Sequence, residues 1–392
     1  MTTIKRPEHK PASPYFSSGP CKKRPGWTVD ALKNVLAGRS HRSKPALKLI
    51  QDVAEKSKTI LNIPKDYHIA TVPASDTGAI EMAMWSLLGA RGVDALGWDV
   101  FGKIWVKDIT DQLKLDDVRV FEADFGSIPD LSQVDTDRDV VFTWNGTTAG
   151  VKVPNADWIK SDRKGLTICD ATSSVFAMDM PWDKLDVVTW SWQKALGSEG
   201  AHGMIVLSPR AVQRLEEYTP PWPIPKIFRI AENGKFLKPV FEGRTLNTPS
   251  LLVLEDYLDA LNWAERVGGL PELTRRSNEN LRVAEEWVTK TDWVEFLAET
   301  KEIRSNTAIC FKIVDPSIAN KDQATQTAFI KKTAQLLEDE GVAYEIANHN
   351  QAPASYRICG GTTIESEDVK HVLEWIDWAY QTVKAEEMEK AA

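Results

Sequence analysis

Apolar positions are not spread evenly along the chain; they gather into runs whose length and period predict elements. Ser43 opens a helix that ends before Pro64. His68–Val72 is a short apolar run, followed by a helix over Thr77–Leu88 that stops at Gly89. Short β-rich runs then recur at Ala95–Trp98, Val118–Glu122, Asp139–Trp144, Leu166–Cys169, Asp186–Trp190 and Ala201–Leu207. Helical patterning, such as Val100–Leu113, lies between some of them. Strands alternating with helices predict an α/β fold built on a mainly parallel sheet covered on both faces. In such sheets functional groups collect at the carboxyl ends of the strands.

The segments between these runs set the wider organisation. Residues 1–14 read as a mobile arm, and Tyr15–Trp27 as a loop turning at Ser17-Ser18-Gly19-Pro20. Thr28 is placed to cap a short helix that stops at Gly38, and Gly38-Arg39-Ser40-His41-Arg42 forms a compact basic loop. Tyr218–Pro225 is a proline-rich loop, and Asn233-Gly234 reads as a hairpin turn. A long amphipathic helix, Pro249–Val267, ends at Gly268-Gly269, the expected domain boundary. Beyond it come a helix (Pro271–Thr289), strands near Thr307–Val314, Ala343–Ala347 and Tyr356–Cys359, and helices near Gln323–Glu340 and Ser366–Glu386. The expected division is an arm (1–14), a large domain (15–268) and a smaller α+β domain (269–392). A length of 392 residues suits two cores.

Composition narrows the partners. A net charge of −8 argues against a nucleic-acid backbone or an anionic membrane as the main partner. Four scattered cysteines form no C-x-x-C pair and have no nearby histidine to complete a metal set, so they read as reduced thiols of a cytoplasmic protein with no metal. The N-terminal MTTIKRPEHKPASP lacks an apolar signal core, and no apolar run is long enough to span a bilayer.

Three strand ends carry candidate chemistry. In Thr189-Trp190-Ser191-Trp192-Gln193-Lys194-Ala195-Leu196-Gly197 a β-rich run ends and a lysine follows within a glycine-containing turn. A lysine facing a crevice there can lose its proton and attack an aldehyde; read alone, it is equally a solvated loop lysine. In Thr167-Ile168-Cys169-Asp170-Ala171-Thr172-Ser173-Ser174 an apolar strand ends on a carboxylate. Pyridoxal phosphate (PLP) needs such a group, because an anion beside its ring nitrogen keeps that nitrogen protonated and the ring electron-poor. Alone, Asp170 reads as a turn cap; the two strand ends together favour a cofactor site. The third, Pro73-Ala74-Ser75-Asp76-Thr77-Gly78, is a strand-to-helix turn of small and hydroxyl residues, suited to a phosphate at a helix N-terminus and equally to an ordinary cap.

These pieces, in this order, resemble the class V aminotransferases of PLP fold type I, and among them the phosphoserine aminotransferase family. The resemblance runs from about Tyr15 to about Thr362. Its markers are Phe16-Ser17-Ser18-Gly19-Pro20, Ser40-His41-Arg42, Cys169-Asp170-Ala171-Thr172-Ser173-Ser174, Gln193-Lys194 and Leu246-Asn247-Thr248-Pro249. It implies PLP on Lys194 with Asp170 at the ring nitrogen, Trp98 stacked on the ring, and Thr147 and Gln193 near its phenolic oxygen. It further implies Asn247 and Thr248 reaching a partner's cofactor phosphate across a homodimer; a plain helix cap before Pro249 explains them as well. Ser75, Asp76 and Thr77 take the phosphate, although Asp76 departs from the glycine-rich, arginine-bearing turn of many relatives and its carboxylate would repel a dianion. Ser18, His41 and Arg42 are implied for the substrate and its phosphate, and Arg357 for its α-carboxylate. His349 aligns only loosely with the phosphate site.

The activity implied is exchange of an amino group between L-phosphoserine or 3-phosphohydroxypyruvate and 2-oxoglutarate or glutamate, in serine biosynthesis and, as for some members of the family, pyridoxine biosynthesis. Another class V enzyme, such as an alanine– or serine–glyoxylate aminotransferase, would not need the cationic His41-Arg42 loop. A desulfurase lacks an evident mobile cysteine, and a non-catalytic protein of this fold would not need both Lys194 and Asp170.

Overall fold

A computed structural model of the chain describes residues 4–391. The first part runs α1 (Lys44–Ile60), β1 (His68–Pro73), α2 (Ser75–Leu87), β2 (Val93–Gly97), α3 (Val100–Lys107), β3 (Val118–Glu122), β4 (Asp139–Thr143), the short pair β5 (Asn145–Gly146) and β6 (Val151–Lys152), β7 (Thr167–Asp170), β8 (Val187–Ser191), β9 (His202–Leu207) and α4 (Pro209–Glu217). A hairpin of β10 (Ala231–Glu232) and β11 (Lys235–Phe236) turns at Asn233-Gly234. The remainder is α5 (Leu251–Val267), α6 (Gly269–Lys290), β12 (Val294–Phe296), β13 (Ala308–Ile313), α7 (Pro316–Ala319), α8 (Gln323–Asp339), β14 (Tyr356–Cys359) and α9 (Ser366–Ala391).

The main sheet has the order β1-β9-β8-β7-β4-β2-β3. Strands β3, β2, β4, β7 and β8 pair in parallel, and β9 runs antiparallel to both its neighbours. The fold is therefore α/β with a mainly parallel sheet. Each strand splits its apolar residues between two cores, as a pleat of period two requires. Val140 and Phe142, Cys169, Val188 and Trp190 face one core with α1 and α5; Val141, Ile168 and Val187 face the other with α2 and α4. On α1 the buried face is Ala46, Leu49, Ile50, Val53, Ser57 and Ile60, the three- and four-residue spacing of one helical stripe. Ser57 lies in that stripe with its hydroxyl donating to the Val53 carbonyl at 2.8 Å.

A third core lies around the antiparallel sheet β12-β13-β14, with Phe311 and Tyr356 from that sheet, Trp293 just before β12, and Trp375 and Tyr380 from α9. Helix α6 gives Leu270 and Leu273 to the first core and Ala284 to this one. Phe16, from the N-terminal segment, is also buried in the third core. The preceding arm is held there too: the Trp375 indole donates to the His9 carbonyl and the Ala12 amide to Asp368. Of the arm expected to be mobile, residues 4–14 thus run along α9, and residues 1–3 lie outside the described residues.

Several elements differ from the sequence reading. Ala343–Ala347 is no strand: Glu345 has a left-handed φ of 58°, which breaks an extended run, and only isolated bridges join Tyr344 to Tyr15 and Ala347 to Tyr356. Thr28 makes no side-chain cap, and the helix after it is a single 3-10 turn, Val29–Leu32. Val100–Leu113 divides into α3 and a π turn over Asp108–Gln112. The short edge strand β12 has too few residues to show a period.

At the amino ends of the sheet strands, buried carboxylates meet arginines. Asp94 binds Arg119 and Arg138, Asp139 binds Arg214, and Asp186 binds Arg163. The last pair is the most enclosed, with side chains 3% and 1% exposed, and Asp186 also accepts from the Thr167 amide and the Ser208 hydroxyl. Asp186→Ala would leave Arg163 buried and uncompensated, so it should cost about 3–5 kcal/mol. The check is the urea midpoint; a variant within about 1 kcal/mol of the parent would mean that water reaches the pair freely.

Candidate active site

Strand register brings the carboxyl ends together. Thr143, Asp170 and Thr189 stand side by side on β4, β7 and β8. In front of them lies a cavity of about 170 Å³ lined by Ser75, Asp76, Thr77, Asp99, Phe101, Trp105, Thr147, Asp170, Gln193 and Lys194, among others. Asp170 is held at both oxygens: Oδ2 accepts from the Trp105 indole N–H at 3.0 Å, and Oδ1 from the Thr172 amide at 3.0 Å. Trp105 and Phe101 are four residues apart on α3, whose first turn is capped by Asp99 accepting from the Gly102 amide. Asp99 is itself buried, which pushes its carboxyl up to about 6.

Lys194 hangs from the turn that follows β8. Two residues before it, Trp192 stacks on Tyr257 of α5, with ring centroids 4.4 Å apart and planes 10° apart. The Tyr257 hydroxyl also accepts from the Trp190 indole at 3.2 Å. The turn closes through Gly197 N–H to the Lys194 carbonyl and Ser198 N–H to the Trp192 carbonyl. The Lys194 amine donates to the Ser18 carbonyl at 2.6 Å and lies against Gly19, where an added Cβ would come within 2.2 Å of Nζ. A side chain there would make the Lys194 amine shift. Although part of the side chain is open to the cavity, burial of its amine end pulls the Lys194 pKa down, and the neighbouring Arg357 adds to this.

Helix α2 enters the cavity directly from β1. Ala74 and Ser75 hold φ of 66° and 55°, left-handed values unusual outside glycine, so the helix begins at Ser75, two residues before the start expected at Thr77. Gly203 of β9 permits this path, because a Cβ there would come within 2.2 Å of the Ser75 carbonyl oxygen. Asp76, in the first turn, is buried, and neither of its oxygens has a hydrogen-bond partner.

Of the residues singled out from sequence, Ser75, Asp76, Thr77, Thr147, Asp170, Gln193 and Lys194 line this one cavity. Thr147 donates to the Ser173 hydroxyl at 2.9 Å. Ser18 is buried and meets Lys194 through its carbonyl. Trp98 is not among the lining residues: it is fully buried, packed on the backbone of Gly146, and the aromatic side chains at the cavity are Phe101 and Trp105. Arg357, on β14, lies near enough to Lys194 to influence its charge, and its Nε has no partner. Arg42, Asn247, Thr248 and His349 are exposed and His41 is half-buried, all outside the cavity lining in the single chain. Phe101, Trp105 and Asp99 were missed from sequence; the signal was an aspartate cap followed by aromatics at i, i+4 spacing directly after a strand end.

The lining fits a flat, polar cofactor bearing an aldehyde and a phosphate. It offers an amine of lowered basicity, an oriented carboxylate and the free amides of a helix start. The Thr172 and Ser191 hydroxyls and the side-chain oxygen Oε1 of Gln193 are buried without partners. At a cavity wall such atoms are free to pair with whatever polar groups, water or ligand, fill the cavity.

No family model matches the chain. It is 56% identical over 379 residues to a phosphoserine aminotransferase from Methanosarcina mazei, covering 97% of this chain and 100% of that one. Among solved structures, a phosphoserine aminotransferase from Cytophaga hutchinsonii superimposes with a TM-score of 0.78 at 19% identity, covering 93% and 98% of the two chains. A PLP-bound phosphoserine aminotransferase from Trichomonas vaginalis gives 0.74 at 17% identity, covering 93% and 99%.

The lowered pKa of Lys194 has a direct consequence. At neutral pH a larger share of its amine is uncharged than at the ordinary lysine value, and only the uncharged amine attacks an aldehyde. Limited reductive methylation of the cofactor-free protein, read by peptide mapping, should mark Lys194 before Lys5. The preference should shrink as pH rises and all lysines lose their protons; equal labelling at neutral pH would show Lys194 to be an ordinary solvated amine.

Proposed function

The chain belongs to the phosphoserine aminotransferase family, and from that premise we infer that it is a PLP-dependent transaminase exchanging an amino group between phosphoserine or 3-phosphohydroxypyruvate and 2-oxoglutarate or glutamate, in serine biosynthesis. The single observation that carries this reading to the site is the meeting of Asp170 and Lys194 in one cavity at the ends of neighbouring strands.

Bound PLP supplies an aldehyde that an amino group can join and an electron-poor ring that weakens the substrate's Cα–H bond. In our reading, Lys194 Nζ holds the aldehyde and then moves the proton at the substrate's Cα. Asp170, held by Trp105 and Thr172, would stand at the ring nitrogen and favour a proton there. Ser75, Thr77 and the amides of the first turn of α2 take the phosphate. Thr147 and Gln193 serve the ring oxygen from the side of Ser173 and the Lys194 turn. The stacking role expected of Trp98 passes to Phe101, which is at the cavity and 37% exposed, open to a ring laid over it.

Arg357 is assigned the α-carboxylate that every amino-acid donor shares, and Arg42 and His41 the distal phosphate. The exposure of Arg42, Asn247 and Thr248 supports a homodimer in which these residues serve the partner's cavity. The four cysteines stand as free thiols, which supports a reducing, cytoplasmic setting. A further role in pyridoxine biosynthesis would use a related phosphorylated donor at the same site.

Two experiments test the reading. With phosphoserine and alanine competing as donors, phosphoserine should be preferred by roughly two orders of magnitude, since charge-assisted bonds to its phosphate are worth about 1.5–3 kcal/mol each. Equal use of alanine would favour a glyoxylate-type aminotransferase. Arg42→Ala should lower kcat/KM for phosphoserine about ten- to a hundredfold and affect glutamate less, whereas Arg357→Ala should damage both donors alike.

A further inference from the structure

The cavity holds two buried carboxyl groups side by side, Asp76 at the start of α2 and Asp170 at the end of β7. Among the described residues, neither has an ion pair, in contrast to Asp94, Asp139 and Asp186 at the other end of the same sheet. Two adjacent carboxylates without a cation between them cannot both stay ionised out of water. Hydrogen bonds decide which of them keeps the charge. Asp170 accepts two N–H groups, from Trp105 and Thr172. Asp76 is 6% exposed and accepts none at bonding geometry at either oxygen. An anion gains from N–H donors, and an unsolvated carboxyl with none does better with its proton on.

We propose that Asp76 and Asp170 act as one acid pair that holds a single proton, with Asp76 keeping the proton and Asp170 the charge. Burial first, and then the charge on Asp170, push the Asp76 carboxyl well above the usual carboxylate range. The hydroxyls of Thr189 and Thr172 lie near enough to pull the other way, and they do not outweigh burial. The remaining titratable groups around the pair are Cys169 on β7, Asp99 across the cavity and Lys194.

The inference rests on the cofactor reading above and deepens it. A carboxylate at the start of α2 would repel a phosphate dianion; an uncharged acid leaves the helix amides free to hold it and adds an O–H donor. The pair then presents one negative charge, on Asp170, where a ring nitrogen needs it. Asp76 is on this account a positioning residue that acts through the charge it does not carry.

Infrared spectroscopy of the cofactor-free protein reads this without any ligand. At neutral pH the wild type should show a protonated-carboxyl band that is missing from Asp76→Asn. Asp76→Ser, which removes the carboxyl without adding bulk, serves the same comparison if the Asn variant folds poorly. A wild-type spectrum lacking the band, or a band that survives both substitutions, overturns the proposal. The second arm titrates cofactor-free protein with pyridoxamine phosphate, which forms no bond with Lys194. Asp76→Asn, uncharged and still a donor, should bind it within about threefold of the wild type; binding tighter by roughly tenfold or more would mean that Asp76 is ionised and repels the phosphate. If neither protein binds the probe, the cofactor reading fails, and the infrared band still reports whether Asp76 holds a proton.

Discussion

A carboxylate removed from water must be matched by opposite charge or by hydrogen bonds, and the central sheet meets that demand differently at its two ends. At the amino ends Asp94, Asp139 and Asp186 are matched by arginines from neighbouring elements, which stitch strands and loops together. At the carboxyl ends Asp170 is matched by an indole and a backbone amide, and Asp76 by nothing. Each unmatched buried polar group costs on the order of 1–3 kcal/mol. The first arrangement stabilises the fold; the second leaves a polar pocket whose matching is deferred to whatever binds it. Parallel strands make this division possible, because all the strand ends that carry side chains into the crevice point the same way.

Holding such a pocket open requires support from outside it. The Lys194 turn is braced from below by Trp192 stacked on Tyr257, and from above by the N-terminal segment, whose Ser18 carbonyl accepts from the amine. That segment continues to Phe16 in the third core and to Cys21, whose amide donates to the Gln193 carbonyl. The lysine is thus clamped between the central sheet and the core around β12-β13-β14. The amide of Cys359, two residues beyond Arg357, donates to the Phe16 carbonyl at 2.8 Å. The residue assigned to the substrate carboxylate therefore hangs from the same strap as the lysine, so a shift of the N-terminal segment would move both.

Much of this was legible in the sequence, for a physical reason. Buried parallel strands read as unbroken β-rich runs, and β4, β7, β8 and β9 lie where those runs predicted; Asp170 ends its strand and Lys194 follows its own by a few residues. What stayed hidden depends on tertiary geometry. The apolar run at Ala343–Ala347 gave no sign that Glu345 would turn left-handed. The β-rich run Ala95–Trp98 gave no sign that β2 would end at Gly97, with Trp98, which the family resemblance assigns to the cofactor ring, buried against Gly146. Asp76 looked out of place beside a phosphate because a sequence shows a carboxyl group and not its proton.

Several residues named from the sequence lie outside the cavity in the single chain. Arg42, Asn247 and Thr248 are polar and exposed, and they sit in loops braced against little else: Thr245 bonds the Asn247 carbonyl, and Ser40 the Arg42 amide. Short loops of this kind cost little to order when a second surface meets them, and they gain charge-assisted bonds when that surface carries an anion. The amine, the carboxylate and the helix start all line the one cavity at the strand ends. In the proposed reading the substrate's phosphate is met by groups beyond the cavity wall, among them Arg42, which is exposed and has no ion pair among the described residues. On this view one chain builds the chemistry at its strand ends, and selectivity for a phosphorylated donor is added from loops that a single chain cannot bring to its own pocket.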